Sequence, residues 1–361
     1  MTTMQTGLTF RPLTIPASLD DADAADFLTM MRVRNTVYRE ISGNDDDAFT
    51  PQALLPHYRS DPDEKRLMWL AVVDGDVVGR VGVDIPLEGD SKNAYWLIEL
   101  LRSHHGQGIG RAAYDLVERT AREHGRTVLQ SWASHPDQPG PRLAAPTGFG
   151  EIPRDRAARF YLAQGYALEQ IERKSELDLP TSAAAVDTLL AEAERVADGY
   201  RVVQWTLPTP AELRDGYAWV KSRMSTDVPA AALEFDEETW DAARVERHDQ
   251  RYVDAGQTVL VTAAQHIATG ELVGFNELVI GEDRTLATHQ EDTLVLKEHR
   301  GHRIGQLVKC AGLQRWIRDI APASPKVITY NAEENRPMLD INEAIGFRPV
   351  SYEGAWKKVL T

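Results

Sequence analysis

Cysteine is nearly absent, with one residue, Cys310, in 361. A lone cysteine excludes an intrachain disulfide framework and a Cys-rich zinc site. Aromatic residues make up 7% of the chain, and no apolar run approaches the length that spans a bilayer. The opening MTTMQTGLTF lacks a basic stretch followed by an apolar one, so no secretory leader is expected. Positive charge is short as well: 40 Lys and Arg against 55 Asp and Glu leave a net charge of −15. That balance argues against nucleic acid as a partner, because phosphate binding needs cationic surface. The expectation is a soluble cytoplasmic protein with no membrane contact and no nucleic-acid partner.

Hydrophobic residues are 42% and charged residues 26%, an ordinary globular composition. At roughly 150 residues per domain the length suggests two domains. The charge is evenly shared: residues 1–180 hold 20 basic and 27 acidic side chains, and residues 181–361 hold 20 and 28. Internal similarity sharpens this division. Residues 94–125, AYWLIELLRSHHGQGIGRAAYDLVERTAREHG, read as a strand, a Gly-rich loop and an amphipathic helix. Residues 289–320, HQEDTLVLKEHRGHRIGQLVKCAGLQRWIRDI, repeat that order. Gly106, Ile109 and Gly110 correspond to Gly301, Ile304 and Gly305. Each loop–helix unit is followed by a strand (127–133; 326–332) and then a helix ending in Gly plus an aromatic, Gly165-Tyr166 and Gly346-Phe347.

Paired strands are expected before each loop, near 68–85 with an Asp74-Gly75 turn and near 257–280 with Thr269-Gly270 in the turn. Helical segments precede both pairs, near 20–41 and 51–60, then near 210–224 and 236–254. Residues 182–199 read as a linker helix after a boundary at Pro180. The first half carries 14 extra residues, placed in 135–151, whose four prolines and three glycines read as a surface loop, either a tolerated insertion or a lid. Trp132, Trp205, Trp219 and Trp240 are expected in cores or interfaces, and the Asp45–Asp47 run is either a solvated helix end or a local attractant for a cationic amine.

Glycines directly before a helix let backbone N–H groups approach a ligand, and the helix start adds partial positive charge. The first loop therefore suits a pyrophosphate, although it has neither the Lys-Ser/Thr of a Walker A loop nor dinucleotide spacing. The second loop has Arg303 where the first has Gly108. His104-His105 and His299/His302 have no ligand set around them, so no metal is expected. No Gly-x-Ser-x-Gly elbow supports a serine hydrolase.

Both halves resemble the GNAT superfamily of N-acetyltransferases, whose Arg/Gln-x-x-Gly-x-Gly/Ala loop binds the acetyl-CoA pyrophosphate. His105-Gly106-Gln107-Gly108-Ile109-Gly110 matches it except at His105, and Arg300-Gly301-His302-Arg303-Ile304-Gly305 keeps the Arg but loses the central Gly. In arrangement the chain is similar to tandem GNAT proteins of actinobacteria, mycothiol synthase among them. The resemblance implies an α/β fold of two GNAT-like domains, 1–180 and 181–361, each a mixed, mostly antiparallel sheet flanked by helices. It implies acyl transfer from acetyl-CoA or a related acyl-CoA to a small-molecule amine, with no metal, by a monomer or homodimer.

By the same resemblance the cofactor-binding positions are Leu100, Leu101 and His105 to Gly110 in the first half. In the second they are Val295, Leu296, Arg300 to Arg303, Gly305, Asn331 and Asn335. The family's acid for the departing thiolate falls on Tyr161, and on Asn342 in the second half. Glu99, on the strand entering the loop, is the candidate base, or else an ion-pair partner. Tyr161 and the fuller first loop place the chemistry in the N-terminal half, with the C-terminal half binding acyl-CoA or capping the site. The rivals are a catalytic C-terminal half and a non-catalytic acyl-CoA-binding or sensing protein.

Overall fold

The computed structural model describes residues 7–361; the reading of residues 1–6 as free of a leader lies outside the described residues. The N-terminal half runs β1 (Leu8–Pro12), α1 (Ala24–Ser42), α2 (Pro51–Leu54), β2 (Glu64–Val73), β3 (Asp76–Pro86), β4 (Asn93–Leu100), α3 (Ile109–Glu123), β5 (Val128–His135), β6 (Arg142–Ala144), β7 (Glu151–Pro153), α4 (Arg156–Ala163) and β8 (Ala167–Asp178). After α5 (Leu179–Glu194), the pattern recurs as β9 (Tyr200–Thr206), α6 (Arg214–Ser222), α7 (Met224–Asp227), α8 (Ala242–Asp254), β10 (Thr258–His266), β11 (Leu272–Ile280), β12 (Thr288–Val295), α9 (Ile304–Arg315), β13 (Lys326–Ala332), α10 (Arg336–Ile345) and β14 (Arg348–Val359).

Local chemistry explains most of these limits. In the β2–β3 turn Asp74 and Gly75 both have positive φ, +51° and +96°, as a tight Asp-Gly hairpin demands. α5 opens on Asp178, whose side chain accepts from the Thr181 N–H, with Pro180 in its first turn. α1 buries Phe27, Met30, Met31, Arg34 and Val37, one face of a helix, and ends at Gly43 in the left-handed region.

Among the described residues twelve strands form one continuous sheet, ordered β1-β2-β3-β4-β5-β14-β8-β13-β12-β11-β10-β9. The terminal strand β14 pairs with β5 and β8, while β8 pairs also with β13. Each half therefore lends its last strand to the other. Trp356 and Leu360 lie in the N-terminal core, and Leu177 lies in the C-terminal one. Each half places parallel strands side by side for a short stretch: β4 and β5 over Asn93–Tyr95, β12 and β13 over Thr288–His289. Beyond those pairs the strands part, leaving a wedge-shaped gap in each half.

Gly165 and Gly346 are related by 181 residues, and so are Glu172 and Glu353. These two glutamates face each other directly across the β8–β14 pair. The repeat axis thus passes between two carboxylates.

Three expectations need correction. Residues 135–151 are not a plain loop: Arg142, Leu143 and Ala144 pair with Pro153, Ile152 and Glu151. Burial of Ala145 and Ile152 in the core fixes this small hairpin, which the prolines and glycines had concealed. Trp219 is 57% exposed, on the outward side of α6. The acidic run is a solvated helix end only at Asp45, which is exposed and pairs with Arg39; Asp46 and Asp47 are mostly covered and pair with Lys326 at 2.9 Å and Lys174 at 2.7 Å. The last two join the first half's loop to the central and second-half strands.

Candidate functional site

The two loops have the same build and different chemistry. Gly108, φ +85°, stands just before α3, and Arg303, φ +55°, takes the same left-handed conformation before α9. A side chain there is strained, where glycine is not. Arg303 also pairs with Glu192 of α5 at 3.0 Å, so its charge is already answered. In the first loop a Cβ added at Gly106 would lie 3.9 Å from Arg156 Nη2, and neither Arg111 nor Arg156 has an ion pair among the described residues. His105 and Arg300 do the same work in their halves. His105 Nε2 lies 3.0 Å from the Leu100 carbonyl and Arg300 Nε donates to the Val295 carbonyl at 3.1 Å, each tying the loop to its strand end. Gln107 donates to Ser103 O, while His302 lies against the Tyr200 ring. Ile109 is buried, Gly110 faces Phe160 and Leu100, and Gly305 faces Ile341 and Val295. Gly301, φ +90°, turns the second loop.

The amides of Leu101 and Leu296 donate to Val78 O and Val273 O. Neither is free for a ligand. Because hydrogen-bonding direction alternates along a strand, the amides of Leu100 and Val295 face the gaps instead.

What fills the gaps differs more. In the N-terminal half Trp96 lies 5.4 Å from Tyr161, 5.6 Å from Tyr114 and 5.5 Å from Tyr166. Tyr161 also stacks on Trp356 at 4.8 Å, and its hydroxyl is 2.7 Å from Ser131 Oγ. Burial pushes the Tyr161 phenol well above the ordinary tyrosine range. Glu99 is held in a two-bond pair with Arg80, at 2.6 and 2.8 Å, and Arg80 is 2% exposed. The residues expected to act as acid and base are therefore a closed aromatic cluster on one face and a closed ion pair on the other.

In the C-terminal half the same places are polar. β3 and β4 pair without interruption from Gly79–Leu100 to Asp84–Tyr95. β11 and β12 pair from Gly274–Val295, then shift so that Leu278 meets Gln290. One extra residue, a β-bulge, thus sits in β12 between Gln290 and Thr293. It turns Glu291 and Asp292 toward the same face, where Lys221 Nζ donates to Asp292 at 2.6 Å and faces Glu277 at 3.3 Å. The bulge also brings Gln290 into the place of Trp96, since Val83 faces Trp96 as Leu278 faces Gln290. Asn342 stands in the place of Tyr161 and Lys309 in that of Tyr114. Asn342 Nδ2 donates to Asn331 Oδ1 at 2.8 Å, and Gln290 Nε2 donates to Thr329. Their other polar atoms, Gln290 Oε1 and Asn342 Oδ1, are buried without a partner among the described residues. Asn335 precedes α10 without a side-chain cap.

On the Asp292 side opens a cavity of about 420 Å³ whose walls come from both halves. Tyr95, Phe235 and Trp240 line it with Asp61, Asp236 and Asp292. Glu291 opens to solvent beside it, and crowding by protein, then the charges of Asp292 and Glu277, raise its carboxyl. Among the described residues no group of three or more His, Cys, Asp or Glu side chains is placed to hold a metal ion. Among the described residues no helix is long and apolar enough to cross a membrane.

Sequence reasoning found both loops and missed this polar set. An ungapped match of the repeats sets Trp96 opposite Glu291, so the one-residue bulge hides the true correspondence. The signal present was HQED: four consecutive polar residues inside an expected strand.

The order of strands, the two gaps and the two Gly-rich helix starts define a tandem GNAT fold. Residues 30–149 match the acetyltransferase (GNAT) family. A tandem GNAT protein from the clavulanic acid biosynthesis pathway, without acetyl-CoA, superposes with TM-score 0.73 at 24% identity over 98% of both chains. A GCN5-related N-acetyltransferase from Sphaerobacter thermophilus gives 0.63 at 14% identity, over 99% of this chain and 97% of that one. A glucosamine N-acetyltransferase region of a fungal multi-domain β-N-acetylglucosaminidase gives 0.60 at 14%, over 97% of this chain and 38% of that one. At these identities the structures establish the fold. No curated protein matches the sequence. The family match lies within the N-terminal half, and the chain as a whole has the tandem GNAT fold.

Proposed function

We propose that this protein transfers an acetyl or related acyl group from acyl-CoA to an amine on a small molecule, and that the C-terminal half carries the reaction. The chain divides near Pro180 into two units in this reading. The observation that carries it is the β12 bulge, which sets Asp292 on the wall of a two-sided cavity with Glu291 exposed beside it, and leaves polar atoms facing the gap behind them. Bulges commonly re-aim side chains beside active sites.

The acyl arm enters the gap between β12 and β13 from the Arg300–Gly305 loop. The Val295 amide polarises the thioester carbonyl, and the amine arrives through the cavity. Asp292, paired with Lys221, attracts the ammonium, and Glu291 takes its proton so that the lone pair attacks the carbonyl. The tetrahedral intermediate collapses with loss of thiolate, and the second proton of the amine nitrogen passes through water to the sulfur, because Asn342 has none to give. In the N-terminal half, where Trp96 and Tyr161 fill the gap, the open cations Arg111 and Arg156 support phosphate binding without turnover.

The test is thiol release from acetyl-CoA with a panel of small amines, comparing Tyr161→Phe with Glu291→Gln and Asp292→Asn. Tyr161→Phe retains turnover and the two carboxylate variants lose most of it. Turnover abolished by Tyr161→Phe and kept by the others would return the chemistry to the N-terminal half.

A further inference from the structure

One group in the C-terminal half is used neither by the fold nor by the steps above. Lys309 is fully buried, 0% exposed, and its Nζ has no hydrogen-bond partner among the described residues. Burying an unsatisfied ammonium or amine is costly, and a native protein keeps such a group for a reason. No carboxylate answers it. Its neighbours on the helix surface locate it. Gly305, one turn earlier, lies against Ile341 and Val295; Gly312, one turn later, lies against Thr262 and Asn276; and Trp316 Nε1 donates to Thr288. Lys309 shares their stripe of α9 and takes the place of Tyr114, whose ring lies 5.6 Å from Trp96 in the first half; the repeat therefore sets it beside Gln290, where Gln290 and Asn342 also keep unpaired atoms.

The composition of this layer is informative. Gln290 Oε1 and Asn342 Oδ1 are acceptors, and Lys309 is a donor. A ligand that satisfies all three carries both N–H groups and carbonyls along a narrow chain, which describes an amide-containing acyl arm and not an apolar one. We propose that Lys309 Nζ is a binding residue for the acyl donor, donating a hydrogen bond to a carbonyl of its arm in the gap between β12 and β13. This rests on the C-terminal half being the acyl-binding site. Burial also lowers the Lys309 amine to about 7, so near neutral pH it does not bring a full charge into the gap. A neutral amine still donates. The corresponding residue in the first half, Tyr114, instead spends its hydroxyl on Lys358 at 3.0 Å within the closed aromatic cluster.

The assignment is tested by calorimetric titration in a Gly106→Asp background, in which a carboxylate beside Arg156 closes the first loop to phosphate. The ligands are acetyl-CoA and adenosine 3′,5′-bisphosphate, which shares the nucleotide end and lacks the arm. Lys309→Met is expected to weaken acetyl-CoA roughly tenfold, the value of one hydrogen bond, and to leave the bisphosphate unchanged. Lys309→Gln, which restores a donor, recovers part of the loss. Equal acetyl-CoA affinity in Lys309→Met, or an equal loss for both ligands, overturns the role of Lys309 while the site stands. Failure of the Gly106→Asp protein itself to bind acetyl-CoA overturns the C-terminal site and this assignment with it.

Discussion

The glutamates on the repeat axis offer the sharpest physical test of the architecture. Glu172 and Glu353 are directly opposite on neighbouring strands, where like charges destabilise a pair. Trp132 Nε1 donates to Glu172 at 2.8 Å and Ser134 Oγ to Glu353 at 2.6 Å, but the nearby ammonium of Lys174 is held by Asp47. Burial first, and then the charge of Glu353, raise the Glu172 carboxyl from 4.5 to about 7. Each pKa unit is worth about 1.4 kcal/mol, so the ionised form costs the fold at most about 3 kcal/mol. The folded state binds more protons than the unfolded state between 4.5 and about 7, so this contribution is present at low pH and is lost as pH rises through that window. Glu172→Gln keeps the acceptor for Trp132 and removes the charge. In urea unfolding, the variant should match the wild type at pH 4.5 and exceed it by about 1–3 kcal/mol at pH 8. A difference that stays flat with pH, or a variant less stable at pH 8, would refute the reasoning.

Lys309→Met should stabilise the ligand-free protein by about 2–4 kcal/mol at pH 7, because the wild type must neutralise or bury an unpaired amine. Since the folded amine is lowered to about 7, the unfolded chain holds the extra proton between that value and 10.5, and the variant's advantage shrinks as pH rises through this range; a gain independent of pH contradicts it. Removing residues 348–361 takes β14 from between β5 and β8, together with buried Trp356, so both halves should lose cooperative unfolding by circular dichroism. A truncated chain that melts as the full chain does would show that the exchanged strand is dispensable.

The repeat made much of this fold legible. Gly-rich loops, Asp74-Gly75 and the Gly-aromatic helix ends are short signals whose backbone demands do not depend on distant partners. Strand exchange carries no such signal. β8 and β14 look alike in sequence because they are repeats, and nothing local says which sheet receives which. The glutamate pair at 172 and 353 shows why: its meaning appears only once the two copies are set face to face.

The candidate site is less legible than the fold for a related reason. Tyr161 and Glu99 have the residue types the chemistry needs, and they stand at the expected positions, yet their neighbours consume them. Trp96, Trp356 and Ser131 enclose the tyrosine; Arg80 takes both oxygens of the glutamate. Residue type states what a side chain can do, whereas availability depends on partners brought in from Arg80 on another strand or Trp356 at the far end of the chain. In the second half the logic inverts. Gln290, Lys309 and Asn342 are weak motif residues, but the fold leaves each with a polar atom unanswered. A duplicated protein can fill one gap with aromatic rings for stability and leave its copy polar and unfilled. In the function proposed above, stability sacrificed in one copy while the other is packed tight marks where the ligand belongs.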